Sequence, residues 1–320
     1  MTIRRCLRPH AVIVYALALL LWATGCTSQD ASSSPASTPS PLKGSELAKV
    51  RGSLTEQKRL FQAEQELRAA CMAQRGQVYR PARWHRPSPP DPTQDPRRGD
   101  DVELRRRHGY GAAPSEASPQ AGRDPNAAHL RSLSKSRQQR YGHALSGTPQ
   151  HRISVRLPDR SVAFMNEDGC VARTEKHLYG DLRTWLKAQM VAINVETEVL
   201  RLVSDDKRLR HTEEPWRRCM RESGHTYRTP EAARTAATAV REETEKSKST
   251  RGKNSKVPED IAIAVADAQC DRHVGRAKLV RSLDHHYRDQ VARTRSEEIV
   301  TYRTLRTRGL ISLGSGPPSY

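Results

Sequence analysis

The chain has 320 residues, of which 55 are Lys or Arg and 36 are Asp or Glu, for a formal net charge of +19 at neutral pH. Hydrophobic residues make up 35%, low for a globular protein, so there is material for a single modest core and not for several. Aromatic residues at 5%, and the lack of any run of five or six like charges, tell against a nucleic-acid site, which needs stacking platforms or a basic tract.

The chain opens MTIRRCLRPH, with Arg4, Arg5 and Arg8 ahead of an apolar run from Ala11 to Trp22. At about twelve residues the run is short of the roughly twenty that a helix needs to cross a bilayer. Its flanks are those of an export signal, residues 1–25. Ala23-Thr24-Gly25-Cys26 resembles a bacterial lipobox, in which the cysteine is lipidated and becomes the mature N-terminus. With Ala23 where Leu usually stands, ordinary cleavage and secretion is the alternative. Residues 26–45 favour the anchor: Thr27 to Ser45 is a Ser/Pro/Ala tract with almost no apolar residue to offset the entropy of ordering. It is expected to be a disordered, solvated tether. Removing the leader's three arginines takes the basic count to 52, an excess of 16 over the acidic residues. That excess suits an anionic wall polymer or lipid headgroups, or it is simply a solvated surface, since arginines are spread among glutamates.

A capping box at Ser53-Leu-Thr-Glu56 starts the first predicted helix, with one or two turns ahead of it from Ser45 to Arg51, interrupted at Gly52. Leu60, Ala63, Leu67 and Cys71 then fall on one face, and Gly76 is placed to end it. From Pro81 to about Arg123 no periodicity survives and an irregular excursion is expected. It contains Arg98-Gly99-Asp100, an adhesion tripeptide by chance, and His108-Gly109-Tyr110-Gly111, whose glycines suggest backbone lying close to something packed. Alternation at Ile153, Val155 and Leu157, a turn at Pro158-Asp159-Arg160, and Val162 and Phe164 predict a β-hairpin. A single helix of about nine turns is then read from Cys170 through Leu178, Trp185 and Val199 to Leu202. A further helix runs from Asp206 to Ser223 with Trp216, Cys219 and Met220, and another from Thr229-Pro230 to about Lys246. After a basic loop, Pro258-Glu259-Asp260 opens a pattern reaching Leu305. As one helix of about 45 residues it would span ~70 Å, a projecting hairpin or coiled-coil partner, with a bend at Gly275 as the alternative. The tail, residues 309–320, is expected to be loose.

"CMAQRGQVYRP" at Cys71 returns as "CMRESGHTYRTP" at Cys219. Each copy ends a helix at Cys-Met, stops it at a glycine, and is followed downstream by one more cysteine read at or near a helix start, Cys170 and Cys270. Cys6 leaves with the signal and Cys26 is taken by lipid. Four cysteines remain in an oxidising compartment, which permits three pairings. Cys71–Cys170 with Cys219–Cys270 is the scheme that closes one loop in each half, and each loop adds roughly 3–5 kcal/mol by chain entropy. The solitary spacings lack the C-x-x-C of redox or zinc chemistry.

The ordered set Cys71-Met72-x-x-x-Gly76, Gly109-Tyr110-Gly111, Gly169-Cys170 with Leu178-Tyr179-Gly180, Trp216-x-x-Cys219-Met220 and Ala266-Asp267-x-x-Cys270 resembles a group of uncharacterised secreted proteins and lipoproteins of actinobacteria. The resemblance spans roughly Leu60 to Tyr302 and implies export, an α-rich domain with paired cysteines, and no established activity.

Phosphate-loop, dinucleotide, zinc-protease and serine-hydrolase motifs are all missing, so no catalytic residue, metal ligand or cofactor is assigned. Asp267 and Asp271, at i and i+4 beside Cys270 and His273, read as a solvated face near a helix start, and His285 and His286 as surface histidines. Trp185 and Trp216 read as core, Trp84 as a loop residue free to touch a partner. The expected fold is mainly α: a bundle or hairpin of long helices, one small β-hairpin, long irregular loops and a disordered N-terminal tether. Its two pseudo-repeated halves span 46–204 and 205–308. The expected function is a non-enzymatic envelope lipoprotein, held to the membrane by its N-terminal lipid, that binds or scaffolds an envelope protein or anionic wall polymer. The alternatives are a motif-less wall-acting enzyme and a polyanion binder.

Overall fold

A computed structural model describes residues 42–111, 124–248 and 258–314. The leader, Cys26 and most of the tether lie outside the described residues. The described residues include four ahead of the expected domain boundary at 46. Leu42 packs on the core, and the Gly44 N–H donates to Asp289 Oδ1 at 2.9 Å as a 3₁₀ turn opens at Gly44–Lys49. Helix α1 (Leu54–Gln74) starts at the anticipated box: the Glu56 N–H donates to Ser53 Oγ at 3.2 Å, and the Ser53 N–H to Glu56 Oε2 at 2.7 Å.

The stretch read as irregular carries more structure than its composition suggested. Two 3₁₀ turns, Pro92–Gln94 and Pro96–Arg98, lead into helix α2 (Val102–His108), which Asp101 caps by accepting from the Leu104 N–H. Short helices α3 (Ala127–Ser132) and α4 (Lys135–Ser146) precede the hairpin, β1 (Arg152–Arg156) and β2 (Val162–Asn166). The hairpin forms where alternation placed it, turning at Arg160 with φ 71°. Its register sets Ile153 opposite Met165 and Val155 opposite Ala163 on the inner face, leaving Val162 and Phe164 exposed.

The long helix after Cys170 is two helices. Gly180, at φ 90°, separates α5 (Cys170–Tyr179) from α6 (Leu182–Ser204), and Asp181 caps the second. Likewise the 206–223 pattern divides at Thr212 into α7 (Lys207–His211) and α8 (Glu213–Glu222). Helix α9 (Pro230–Lys248) opens as expected, with the Ala232 N–H donating to Thr229 Oγ1. The expected 45-residue projection is replaced by three packed helices: α10 (Glu259–Val274), α11 (Arg276–Thr294) and α12 (Ser296–Ser312), broken at Gly275 (φ 72°) and Arg295. Residues 309–312 therefore belong to α12, and Leu310 packs against the core.

The main core joins α6 to α11 and α12, with α1 and α5 beside it. Trp185 lies between Tyr179 and Tyr302, ring centroids 3.6 and 5.4 Å away. It draws Val199 and Val203 from the first expected half and Leu283 and Ile299 from the second, so the halves share one core rather than forming two. A second cluster gathers α8, α9 and α10 around Trp216, Met220 and Cys270, with Tyr110 from the loop after α2. A third holds Cys71, Met72, Tyr141 and Cys170. Among the described residues there are twelve α-helices and one two-stranded sheet, and no helix is long and apolar enough to cross a membrane.

Candidate functional site

The four cysteines form the two anticipated disulfides, Cys71–Cys170 and Cys219–Cys270, with Cα atoms 5.7 and 5.6 Å apart. Cys170 heads α5 as read. Cys270 sits in the last turns of α10, not near its start.

That placement also overturns the reading of Asp267 and Asp271 as a solvated face. Helix α10 is enclosed by α2, α8, α9 and α11, and both aspartates are 6% exposed. Asp267 accepts from Tyr110 Oη and from Trp216 Nε1, each at 2.8 Å. Burial raises its pKa, against the pull of those two donors and of Arg105 and Arg234. Asp271 Oδ1 accepts from the Ala277 N–H at 2.7 Å, which ties α10 to the first turn of α11. Burial, with Asp267 and Asp100 nearby, pushes Asp271 up to about 7 despite Ala277 and Arg276.

Between these helices lies a cavity of about 420 Å³, within the range of small-ligand sites. Leu200 and Val203 of α6 and Val280 of α11 give it an apolar side, and Asp267 and Asp271 part of its polar side. Four arginines join the polar lining, Arg105 of α2, Arg210 of α7, Arg234 of α9 and Arg276 of α11, together with Glu213 of α8 and Glu231 of α9.

Arg105 is wholly buried. The chain from 91 to 111 folds around it: Arg105 Nη1 donates to the carbonyls of Thr93 (2.7 Å) and Gly109 (3.3 Å), and its guanidinium lies 4.9 Å from the Tyr110 ring centroid. The Arg105 Nε has no hydrogen-bond partner. Burial, then repulsion from Arg234, lowers the Arg105 pKa. The His108–Gly111 loop does bring backbone against packed groups, as its glycines suggested. Gly109 (φ 58°) abuts Ile261, and Gly111 (φ 81°) abuts Thr93 and Asp91. Arg234 lies 5.2 Å from the same Tyr110 ring and donates to Gln94 Oε1 at 3.1 Å. Arg276 Nη1 donates to Leu209 O and Thr212 Oγ1, and Arg210 Nη1 to Asp205 O. All four arginines bond only neutral oxygens; among the described residues none makes an ion pair.

Elsewhere the sequence candidates have structural duties. Gly99 packs on the Asp271 carboxylate and Asp100 pairs with Arg281 at 2.9 Å, so the adhesion-like tripeptide is built into the fold. His285 and His286 are exposed on α11, Trp185 and Trp216 are core, and Trp84 is half-buried. His151 and Asp168, 3.2 Å apart, share Thr148 and fix the turn before β1. Among the described residues no three His, Cys, Asp or Glu side chains gather as a metal site would require. The sequence reading missed Arg105, Arg234 and Arg276, since an arginine amid 55 basic residues carries no mark of burial.

Comparison of the chain with family models, with curated proteins and with solved structures finds no match.

Proposed function

We propose that this chain is an exported envelope lipoprotein, anchored through Cys26 to the outer face of the cytoplasmic membrane, that acts as a non-catalytic binding module. The observation that carries the binding role is the cavity, lined by four arginines of which none makes an ion pair among the described residues. Reserved cation valence beside an apolar wall suits recognition of a small molecule. The binding reading is preferred to an enzyme because the buried carboxyls are already engaged: Asp267 holds Tyr110 and Trp216, and Asp271 holds the start of α11. The address is supported by the leader, the lipobox-like stretch and two disulfides. The excess of basic residues supports a secondary contact with anionic wall polymer.

Two experiments test this. Cys26→Ala is expected to move the protein from the membrane fraction to the medium; retention on the membrane would remove the anchor. A photoreactive residue at position 200, at the cavity's exposed rim, is expected to capture a small-molecule adduct in intact cells, read by intact mass. Capture of protein alone, or of nothing, would remove the binding reading.

A further inference from the structure

The cavity's chemistry narrows what it accepts, and this step rests on the binding reading above. Several part-buried arginines elsewhere in the molecule are paired: Arg288 with Glu196 and Asp284, Arg295 with Glu198, Arg241 with Asp260. The four at the cavity make no ion pair among the described residues, although carboxyls stand close by, and one of them, Arg105, is wholly buried. Asp267 has both oxygens occupied by Tyr110 and Trp216. Asp271 has one oxygen on the Ala277 N–H and Gly99 packed against the other. Glu213 and Glu231 also line the cavity, half-buried and exposed respectively, and pair with no described residue.

A buried guanidinium without a counter-charge is costly, and so is its unpartnered Nε. Arg105 is wholly buried with no ion pair among the described residues, only the more distant charges of Asp267 and Asp271, and its Nε is unpartnered; a second guanidinium, Arg234, lies on the same aromatic ring. Such an arrangement is stabilised by an incoming anion, whose oxygens accept from guanidinium N–H groups in charge-assisted hydrogen bonds. A cationic ligand would find Asp267 and Asp271 already accepting from Tyr110, Trp216 and the Ala277 N–H, and would be left with half-buried Glu213 and exposed Glu231. Burial raises the proton affinity of Asp267 and Asp271, which lessens their repulsion of an anion. We infer that the cavity binds a small organic oxyanion: a carboxylate or phosphate group set among Arg105, Arg234 and Arg276, with an apolar body against Leu200, Val203 and Val280.

The test uses the full-length chain and four probes: butyrate, inorganic phosphate, butyramide and butylammonium. Binding is followed by calorimetry and by the indole N–H resonance of Trp216, which is hydrogen bonded to Asp267 at the cavity wall. Butyrate or phosphate is expected to bind saturably and to shift that resonance, and the stronger of the two identifies the head group. Butyramide and butylammonium are expected to bind at least about tenfold more weakly. Arg105→Gln is expected to reduce anion affinity by about tenfold or more. Should that variant fail to fold, Arg234→Gln, whose only described side-chain hydrogen bond is to Gln94, is expected to show a loss of the same order with its melting temperature retained. Equal binding of butyramide, preference for butylammonium, or anion affinity unchanged in Arg234→Gln would overturn the oxyanion and leave a ligand cavity standing, as an adduct at position 200 would show independently. No response to any of the four probes would overturn the oxyanion outright, and the position-200 capture would then decide the cavity alone.

Discussion

The two copies of the Cys-Met motif end their helices with the same hydrogen bonds and then hand the chain to different surroundings. In the first, the Gln77 N–H reaches back to Met72 O at 2.9 Å and the Gly76 N–H to Ala73 O at 2.9 Å. In the second, the His225 N–H reaches Met220 O at 2.8 Å and the Gly224 N–H reaches Arg221 O at 3.0 Å. The glycines take φ 67° and 83°, and both methionines are fully buried. Beyond the glycine the likeness stops. Past Pro81 the first copy runs on without regular structure, clamped where Tyr79 Oη donates to Gln65, and its disulfide lies in an apolar nest with Tyr141 and Ala144. At Pro230 the second copy enters α9, and its disulfide lies in the cluster of Tyr110 and Trp216, with Cys270 one residue before the cavity-lining Asp271. The repeat thus encodes a helix terminus and a clip. The end of the second copy gives the cavity Thr229 and Pro230, but its buried arginine comes from what is not repeated: the 91–111 segment, laid against α10 by α2, brings in the Arg105 that neither copy supplies.

Removing the clips gives the largest expected effects and tests that division of labour. Replacing Cys71 and Cys170 together by Ser opens a span of 99 residues, and replacing Cys219 and Cys270 opens one of 51. Chain entropy expects each to cost about 4–5 kcal/mol, the first by slightly more, read from urea midpoints. Anion binding should discriminate where stability does not. In conditions where both variants remain folded, it should survive loss of the first clip and fail on loss of the second. Equal loss in both would mean the two regions act as one unit, and the comparison would break.

Each clip's partner helix also carries one carboxyl with a pKa raised to about 7: Glu175 on α5 and Asp271 on α10. For Glu175 the causes are burial and then the charge of Glu64, opposed by Arg68. A carboxyl raised from 4.5 to about 7 favours the fold fully below pH 4.5. As pH climbs through that window the unfolded chain loses its proton first and stability falls. Glu175→Gln is therefore expected to be neutral near pH 4 and stabilising by about 2–3 kcal/mol above pH 7, measured as ΔΔG of unfolding across pH. A pH-independent difference would show that Glu175 does not titrate in this window. Asp271→Asn is expected to be less stabilising, because the ionised form of Asp271 accepts from the Ala277 N–H, and part of the charge's value is lost with it.

The same comparison shows what a sequence can reveal. The capping box at Ser53 and the hairpin were legible from local chemistry, and the cysteine pairing from the choice, among three schemes, of the one that closes a loop within each half. Helix breaks at Gly180 and Gly275 had a visible residue at fault; those at Thr212 and Arg295 did not. Helix α10 misled for a physical reason. An apolar stripe through Ala266, Cys270 and Val274 implies a wet opposite face, yet this helix is covered from several sides and is buried at 263, 264, 266, 267, 268, 270 and 271. Its aspartates face donors supplied from 110, 216 and 277, which no local pattern announces. Arg105 was hidden in the same way, in a seven-residue helix of sequence VELRRRH whose single buried arginine looks like its exposed neighbours.

The smallest expected effect is the most direct probe of whether the copies are equivalent. An added Cβ at Gly76 or at Gly224 would meet nothing within 4 Å, so alanine at either position carries only the cost of a left-handed backbone. That cost is about 1 kcal/mol. Gly76→Ala and Gly224→Ala should therefore destabilise by the same amount, and their double variant should be additive because the sites share no partner. Gly109→Ala supplies the contrast: at φ 58° with Ile261 3.1 Å from the new Cβ, it adds crowding to the backbone term and should exceed either. If Gly224→Ala matched Gly109→Ala instead of Gly76→Ala, the second terminus would be bearing on the cavity through its backbone, and the motif would be part of the site rather than its support.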